Sequence, residues 1–301
     1  MSTNPSMHIF ASILFIVFGT IACQATPVPT PAPTPAATPG VKTTSEQPVR
    51  TEPESMPTDV DESPADVVLG KAEQQRDAVQ AVSATVAVER IEPLFNKREV
   101  RTGALLYERT TDASPRFSVL LDKRLIGRRL ESRTKHIVYD GRWLSEIDHE
   151  KQQCIRWELC GDDSDPTRLD GRFPLPIGQP RDEVKQRFEA EVIEGGPEPS
   201  FLKSLTEGRT VTGLRLTPRA GAPAAKEFER VDVWYDTTTW LPLGVETIDL
   251  KSNVRRIRLN DVEINPTLTA EQNAVLQGTV PSDPGWMIDN RPCSPPPGSA
   301  P

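Results

Sequence analysis

The sequence lacks the motifs on which most known enzyme chemistry is built. It contains no G-x-S-x-G elbow, no Walker loop, no G-x-G-x-x-G fingerprint and no H-E-x-x-H metal motif. Histidine is scarce, with only His8, His136 and His149 in 301 residues. Asp148-His149-Glu150 is the one grouping that suggests acid–base or metal chemistry, but adjacent residues at a turn point to different sides. The sequence therefore favours a non-enzymatic protein without a metal or other cofactor.

A basic surface is also missing. The chain has 35 lysine and arginine residues against 43 aspartate and glutamate residues, which gives a net charge of −8. Nucleic-acid binding depends on a positively charged footprint, so this balance argues against a nucleic-acid partner. Apolar residues make up only 36% of the chain, and ten of its 30 prolines lie between Pro27 and Pro64. About 200 residues remain for one well-buried domain, expected to be a monomer.

The N-terminal apolar segment is too short to cross a membrane as a helix. Ile9–Ile21 spans about 13 residues where a bilayer needs about 20, and this length is typical of a secretory signal. Ala22-Cys23 resembles the end of a bacterial lipoprotein signal, in which the cysteine is diacylated and becomes the new N-terminus. We therefore expect residues 1–22 to be a signal peptide and Cys23 to anchor the chain in a membrane. The alternative is ordinary cleavage near Ala25, which would discard Cys23.

Both alternatives predict export from the cytoplasm. Gln24, rather than aspartate, follows Cys23. By resemblance to enterobacterial sorting, this residue favours the outer membrane, with the protein facing the periplasm.

A linker follows the proposed anchor. Residues 26–40 read TPVPTPAPTPAATPG, and alternating proline prevents helix or sheet and favours polyproline II. The polar, acidic stretch from Val41 to Ser63 has no periodicity. Residues 23–64 are therefore predicted to be the anchor cysteine followed by a disordered, semi-rigid spacer.

The remaining chain begins with a helix and continues mainly as strands. Val68, Ala72, Val79 and Val82 recur at helical spacings, which predicts a helix over 65–81 capped near Ser63. A second, short helix is predicted after Pro180. Alternating segments predict strands over 85–91, 103–108, 116–121, 135–139, 142–148, 153–159, 209–217, 228–236, 241–249 and 254–264.

Two local features refine the strand prediction. Asp140-Gly141 between two alternating segments is typical of a hairpin turn. In the last strand the apolar residues Ile257 and Leu259 are at odd positions, whereas Val262 and Ile264 are at even positions, so regular alternation would place the two pairs on opposite faces. This slip predicts a bulge or a bend.

This order of elements resembles the Lol-type (LolA- and LolB-like) outer-membrane lipoprotein-carrier superfamily, with this chain as a divergent, lipid-anchored member. The similar segments are Gly103-Ala104-Leu105, Pro115-Arg116-Phe117, Tyr139-Asp140-Gly141-Arg142-Trp143-Leu144, Trp240-Leu241-Pro242 and Asn265-Pro266. The resemblance implies an α+β fold, a curved and incompletely closed antiparallel β half-barrel covered by helices. It covers residues 65–290 and leaves 291–301 as a disordered tail.

The resemblance also implies a function. A half-barrel of this kind would bind an acyl lipid or a lipoprotein in a concave apolar cavity, in lipoprotein sorting at the cell envelope. The expected lining residues are Phe117, Trp143, Ile147, Trp157 and Trp234. Arg116 is a candidate contact to a helical lid. The alternative is a structural or signalling interaction domain whose cavity is filled by its own side chains.

Three cysteines remain if Cys23 is acylated, and an exported protein meets an oxidising environment. Cys154 and Cys160 lie six residues apart, so they are a candidate disulfide with Cys293 left free. A pair that includes Cys293 is the alternative and would fasten the tail.

Overall fold

The computed structural model describes residues 62–109, 115–161, 165–194 and 199–293. By its internal contacts the chain divides between Thr58 and Asp59, and every described residue belongs to the second unit. The predicted signal peptide, the proposed anchor Cys23 and all but the last three residues of the spacer lie outside the described residues. They stay predictions.

Helix α1, Pro64–Ala78, opens the described chain much as its periodicity predicts. The Ser63 hydroxyl accepts a hydrogen bond from the Asp66 amide and caps the helix. Ala65, Val68, Leu69 and Ala72 form its buried face. The helix ends three residues earlier than predicted because the chain enters the first strand at Ala81.

Twelve strands form one sheet. Their bounds are β1 Ala81–Glu92, β2 Lys97–Glu108, β3 Arg116–Ile126, β4 Arg129–Tyr139, β5 Trp143–Asp148, β6 Gln153–Glu158, β7 Phe188–Val192, β8 Val211–Pro218, β9 Phe228–Asp236, β10 Pro242–Asp249, β11 Val254–Ile264 and β12 Met287–Arg291. Their spatial order is β12-β6-β5-β4-β3-β2-β1-β11-β10-β9-β8-β7. All neighbours are antiparallel except β12, which runs parallel to β6. The fold is α+β and incompletely closed, because β12 and β7 are the two ends of the sheet.

Two of these strands are absent from the sequence prediction. β7 directly follows the short helix α2, Arg181–Arg187, and β12 lies in a segment rich in proline and glycine. Two further short helices complete the fold, α3 Lys203–Thr206 and α4 Ala270–Leu276. β12 continues to Arg291, so ordered chain extends past the expected boundary at residue 290.

Register shifts interrupt several strand pairs, and two of them bear on the core. The register of β1 against β11 shifts between Ser83 and Thr85, and Asp261 on the facing strand has a φ of 50°. This bulge confirms the parity slip expected for β11 and brings Val262 against the same core as Ile257. A second shift separates Thr102 from Gly103 in β2. A Cβ on Gly103 would lie 1.8 Å from the carbonyl oxygen of Leu120, so only glycine fits there.

Candidate ligand-binding groove

Cross-strand pairing defines one continuous inner face of the sheet. Residues directly opposite each other in a sheet share a face, and the chain of partners runs Tyr107, Phe117, Tyr139, Leu144 and Trp157 across β2 to β6. On the other side, Val86, Leu259 and their neighbours extend this face through β1 and β11. The neighbouring positions along each strand belong to the outer face.

Half of the inner face is filled by the chain itself. Phe173, Leu175 and Ile177, from the segment 165–180 that connects β6 to α2, are all buried against it. The ring of Phe173 stacks on Phe117 with a centroid distance of 5.6 Å. We call this the filled half; its strand residues are Val82, Leu105, Tyr107, Phe117, Val119, Tyr139 and Leu144.

A second apolar core lies under α1. The buried face of the helix packs with α2 against the inner side of β7 to β10, where Leu214, Leu216, Val231 and Val233 are completely buried. Helices α1 and α2 thus cover β7 to β10, whereas segment 165–180 covers the apolar part of the inner face of β1 to β6.

The other half of the inner face, toward the β1–β2 and β3–β4 hairpins, is open. It forms a groove of about 530 Å³, within the usual range of about 300–1,000 Å³ for ligand sites. We call this the open half. An apolar strip lies along the border between the two halves and consists of Val88, Leu121, Ile137, Leu144 and Trp157. Leu121 and Leu144 are nearly fully buried and also pack in the core of the filled half. Charged side chains line the rest: Arg90, Lys97, Glu99, Arg101, Arg124, Lys135, Glu146, Asp148, Glu150, Lys151, Arg172, Glu227 and Arg255.

Most of these carboxylates are paired with cations. Arg101 lies 2.5 Å from Glu99, Lys151 lies 3.7 Å from Asp148, and Arg133 lies 3.0 Å from Glu150. Lys135 also pairs with Glu146. Such partly exposed pairs hold the side chains in place but contribute little stability each. The groove is therefore a polar trough with an apolar strip, rather than the apolar cavity that the resemblance implies.

The five predicted lining residues are not brought together. Phe117 and Trp157 are on the inner face, but Phe117 is fully buried in the filled half and only Trp157 lines the groove. Trp143, Ile147 and Trp234 lie on the outer face, opposite Glu158, Cys154 and Gly213 respectively. Trp234 packs edge-to-face on Phe201, 5.4 Å between centroids. The prediction is wrong for these three residues because they were chosen for their large apolar side chains. The sequence does not show which of two alternating positions in a strand faces inward.

The predicted lid contact of Arg116 is not formed. Its guanidinium pairs with the carboxylate of Glu108, its cross-strand partner on the outer face of β2. This is an ordinary ion pair between neighbouring strands.

The disulfide joins Cys160 to Cys293, and Cys154 is a buried free thiol. The predicted Cys154–Cys160 pair is wrong, and the alternative that fastens the tail is correct. Cys154 lies within the extended strand β6. Six residues at about 3.3 Å each place two cysteines about 20 Å apart, whereas a disulfide needs Cα atoms within about 7 Å. The Cα atoms of Cys160 and Cys293 are 6.4 Å apart.

The side chains of Asp148-His149-Glu150 are engaged at the β5–β6 turn. The Asp148 carboxylate accepts hydrogen bonds from the Glu150 and Lys151 amides. The ring of His149 lies edge-on to Trp286 at 5.3 Å. These contacts close the turn and dock the segment before β12.

A second histidine forms a pair that the sequence analysis missed. Nε2 of His136 and Oγ of Ser118 are 2.7 Å apart on the outer face of β4 and β3. Ser118 is almost completely buried. Burial, with a smaller contribution from His149, lowers the pKa of His136 to about 4. The pair joins a buried serine to a partly buried, neutral histidine and is a polar contact behind the groove.

No helix in the part of the chain that the structure describes is long and apolar enough to cross a membrane. Within the same residues, no group of three or more histidine, cysteine, aspartate or glutamate side chains is arranged to hold a metal ion.

Comparisons with known proteins identify similar folds among solved structures. No family model matches the chain, and no curated protein matches it in sequence. MucB has a TM-score of 0.41 at 14% identity, over 71% of this chain and 62% of that one. The structure of the MucA/MucB complex of Pseudomonas aeruginosa matches with a TM-score of 0.38 at 15% identity, over 68% of this chain and 58% of that one. A LolA superfamily protein from Nitrosomonas europaea matches with a TM-score of 0.31 at 12% identity, over 70% of this chain and 96% of that one.

The chain therefore spans only about 60% of the length of MucB. The similar structures include a member of the superfamily that the sequence resembles.

Proposed function

We propose that this chain is an exported, non-enzymatic binding protein of the cell envelope whose groove holds an amphipathic ligand, such as an acyl lipid or the acylated part of a lipoprotein. The observation that supports this function is the open half of the inner face. Its apolar strip lies directly beside charged side chains on a concave surface to which eight strands contribute. An amphipathic molecule matches both parts, with its chain along the strip and its polar group among the charges.

The size of the strip limits the expected affinity. Burying about 100 Å² of acyl chain against the strip would contribute about 2–3 kcal/mol before the costs of ordering the ligand. The apolar cavity expected from the resemblance would bury more, but segment 165–180 occupies that space. We therefore expect weak binding of a partly buried chain.

The test uses a fluorescent fatty acid, 11-dansylaminoundecanoic acid, added to the full chain. Ile137 lies half-buried on the groove floor, so Ile137→Trp places a large side chain across the strip. Thr85→Trp adds the same side chain at an exposed position of the outer face. We expect saturable binding that Ile137→Trp weakens at least tenfold and Thr85→Trp leaves unchanged. No binding to the folded protein would refute the proposal.

The filled half favours a second function, a structural or signalling interaction domain. Phe173, Leu175 and Ile177 are each at most 4% exposed, and they occupy the position that an acyl chain would take in an empty half-barrel. This alternative predicts that neither the fluorescent probe nor co-purified lipid is found on correctly folded protein.

The anchor is part of the proposal and has its own test. We expect Cys23 to incorporate labelled palmitate when the full chain is expressed in a bacterium. Cys23→Ala would abolish the label, whereas Cys154→Ala would retain it. Label that persists in Cys23→Ala would refute the proposed lipidation.

A further inference from the structure

Three arginines at one side of the groove differ from its other charged residues. Arg90 and Arg255 are direct cross-strand partners on β1 and β11, and Arg172 approaches them from segment 165–180. Among the described residues, none of the three forms an ion pair with a carboxylate. Like charges placed directly opposite each other in a sheet are destabilising, so this arrangement has a cost that no internal partner offsets.

The guanidinium groups of Arg172 and Arg255 are held in place by other contacts. Nη1 of Arg255 donates a hydrogen bond to the carbonyl oxygen of Arg172 at 2.8 Å, and its Cζ lies 5.5 Å from the centroid of Phe173. The Cζ of Arg172 lies 4.1 Å from the centroid of Trp157. Stacking orients a guanidinium while leaving N–H donors at its edge. Arg172 and Arg255 are therefore oriented before any ligand arrives, and Arg90 is placed beside them by the cross-strand pairing of β1 with β11.

The pKa of Arg255 reflects its burial and the positive charge of the neighbouring Arg90. Burial, with a smaller contribution from the charge of Arg90, lowers the pKa of Arg255 to about 10. Arg255 nevertheless remains charged at neutral pH. A second cavity of about 290 Å³, lined by Arg90 and Arg255 among others, meets the pair from the other side.

Carboxylates that line these two cavities do not neutralise the cluster. Glu146 is paired with Lys135, and Asp249 accepts hydrogen bonds from the amides of Lys251 and Asn253. Glu227 is exposed and makes no ion pair with the described residues, so it remains in contact with water. Three positive charges thus face one side of a groove in a protein whose net charge is −8.

We propose that Arg90, Arg172 and Arg255 form a binding site for a phosphate group, carried by a lipid headgroup or by a soluble molecule. A phosphate offers several acceptor oxygens, and arginine forks bind it through paired charge-assisted hydrogen bonds. The inference rests on the proposed function, because it takes the groove to be the ligand site, and it names the polar group of that ligand. The apolar strip at Ile137 and Trp157 lines the same groove, so a lipid would have room for its chain.

The test is calorimetric titration of the full chain in phosphate-free buffer. Glycerol 3-phosphate serves as the soluble probe and dihexanoyl phosphatidic acid as the lipid probe. Arg90→Gln and Arg172→Gln remove exposed members of the cluster, so both are expected to fold. Arg128→Gln removes the same charge from the exposed β3–β4 turn and is the matched control. Urea unfolding of each variant verifies that it folds.

We expect one site per chain, weakened at least tenfold by Arg90→Gln and by Arg172→Gln and unchanged in Arg128→Gln. Equal affinity for both probes supports a soluble phosphate, and much tighter binding of the phosphatidic acid supports a lipid headgroup. If neither probe binds while the fluorescent fatty acid does, the phosphate site is refuted and the proposed function stands. Equal weakening in all three variants also refutes it, since only the net charge would then matter.

Discussion

The filled and open halves of the inner face lie on the same strands but have opposite composition. In β2 the charged residues come first and the apolar residues last, whereas in β3, which runs the other way, the order is reversed. Antiparallel neighbours therefore place their charged ends together, opposite the half that Phe173 covers. The comparison indicates that one half of the face provides stability, which leaves the other free to bind a ligand.

Replacing Phe173 tests this division most directly. Phe173→Ala removes a buried ring that stacks on Phe117, so we expect a loss of about 3–5 kcal/mol in the free energy of unfolding. Ile137→Ala, on the half-exposed floor of the open half, should cost only about 1 kcal/mol. Urea unfolding of both variants measures the difference. Similar losses would mean that the two halves do not differ in their contribution to stability.

Removing the disulfide tests how much it stabilises the part of the sheet that carries the groove. It links residues 133 positions apart. The variant with both Cys160→Ser and Cys293→Ser should therefore lose about 2–4 kcal/mol, chiefly because its unfolded chain gains freedom. Either single variant should lose nearly as much, because each also breaks the bond. Unchanged unfolding midpoints would contradict a structural role for the link.

Gly103 lies at the border between the halves, and its replacement tests whether the bend there is needed. Gly103→Ala would force a methyl group against the backbone of Leu120, at an expected cost of about 1–3 kcal/mol. The same change at Gly127, an open turn with a φ of 58°, is the control for the intrinsic cost of replacing glycine. A smaller loss at Gly103 than at Gly127 would show that the strand can relax.

A pH-dependent effect of similar size concerns the histidine on the outer face behind the open half. His136 has a folded-state pKa of about 4 against 6.5 in the unfolded chain, so its neutral form stabilises the fold fully above pH 6.5. This contribution is lost as the pH falls from 6.5 toward 4, because the unfolded state then binds the extra proton. We expect a loss of about 2 kcal/mol between pH 7 and pH 5.

His136→Gln is the control for this dependence. The amide can still hydrogen-bond Ser118 but does not titrate, so the free energy of unfolding should change less between pH 7 and pH 5 than in the unaltered chain. An identical pH profile would assign the effect to other groups.

Much of the fold was predictable because it depends on local patterns. Ser63 as a cap, ten strands and the bulge near Asp261 follow from residue type and alternation. β7 was missed because five residues directly after a helix give too short a pattern. β12 was missed because its only ladder partner, β6, is more than 130 residues earlier in the chain.

The site was less predictable, for a physical reason. Alternation shows that Trp143 and Leu144 face opposite ways, but it does not show which faces inward. The contrast between charged and apolar strand ends was present in the sequence and could have indicated the polar groove. The trio Arg90, Arg172 and Arg255 could not have been found, since it depends on long-range pairing and on the path of segment 165–180.

The parallel strand β12 also has a consequence for how the protein is assembled. β12 pairs with β6, and the bond between Cys160 and Cys293 fastens the chain just after β12. The edge of β6 that β12 covers therefore stays unpaired until the residues up to Cys293 have been synthesised. An unpaired edge is a point at which chains associate wrongly. The risk of aggregation is therefore greatest before β12 has paired with β6 and the Cys160–Cys293 bond has closed.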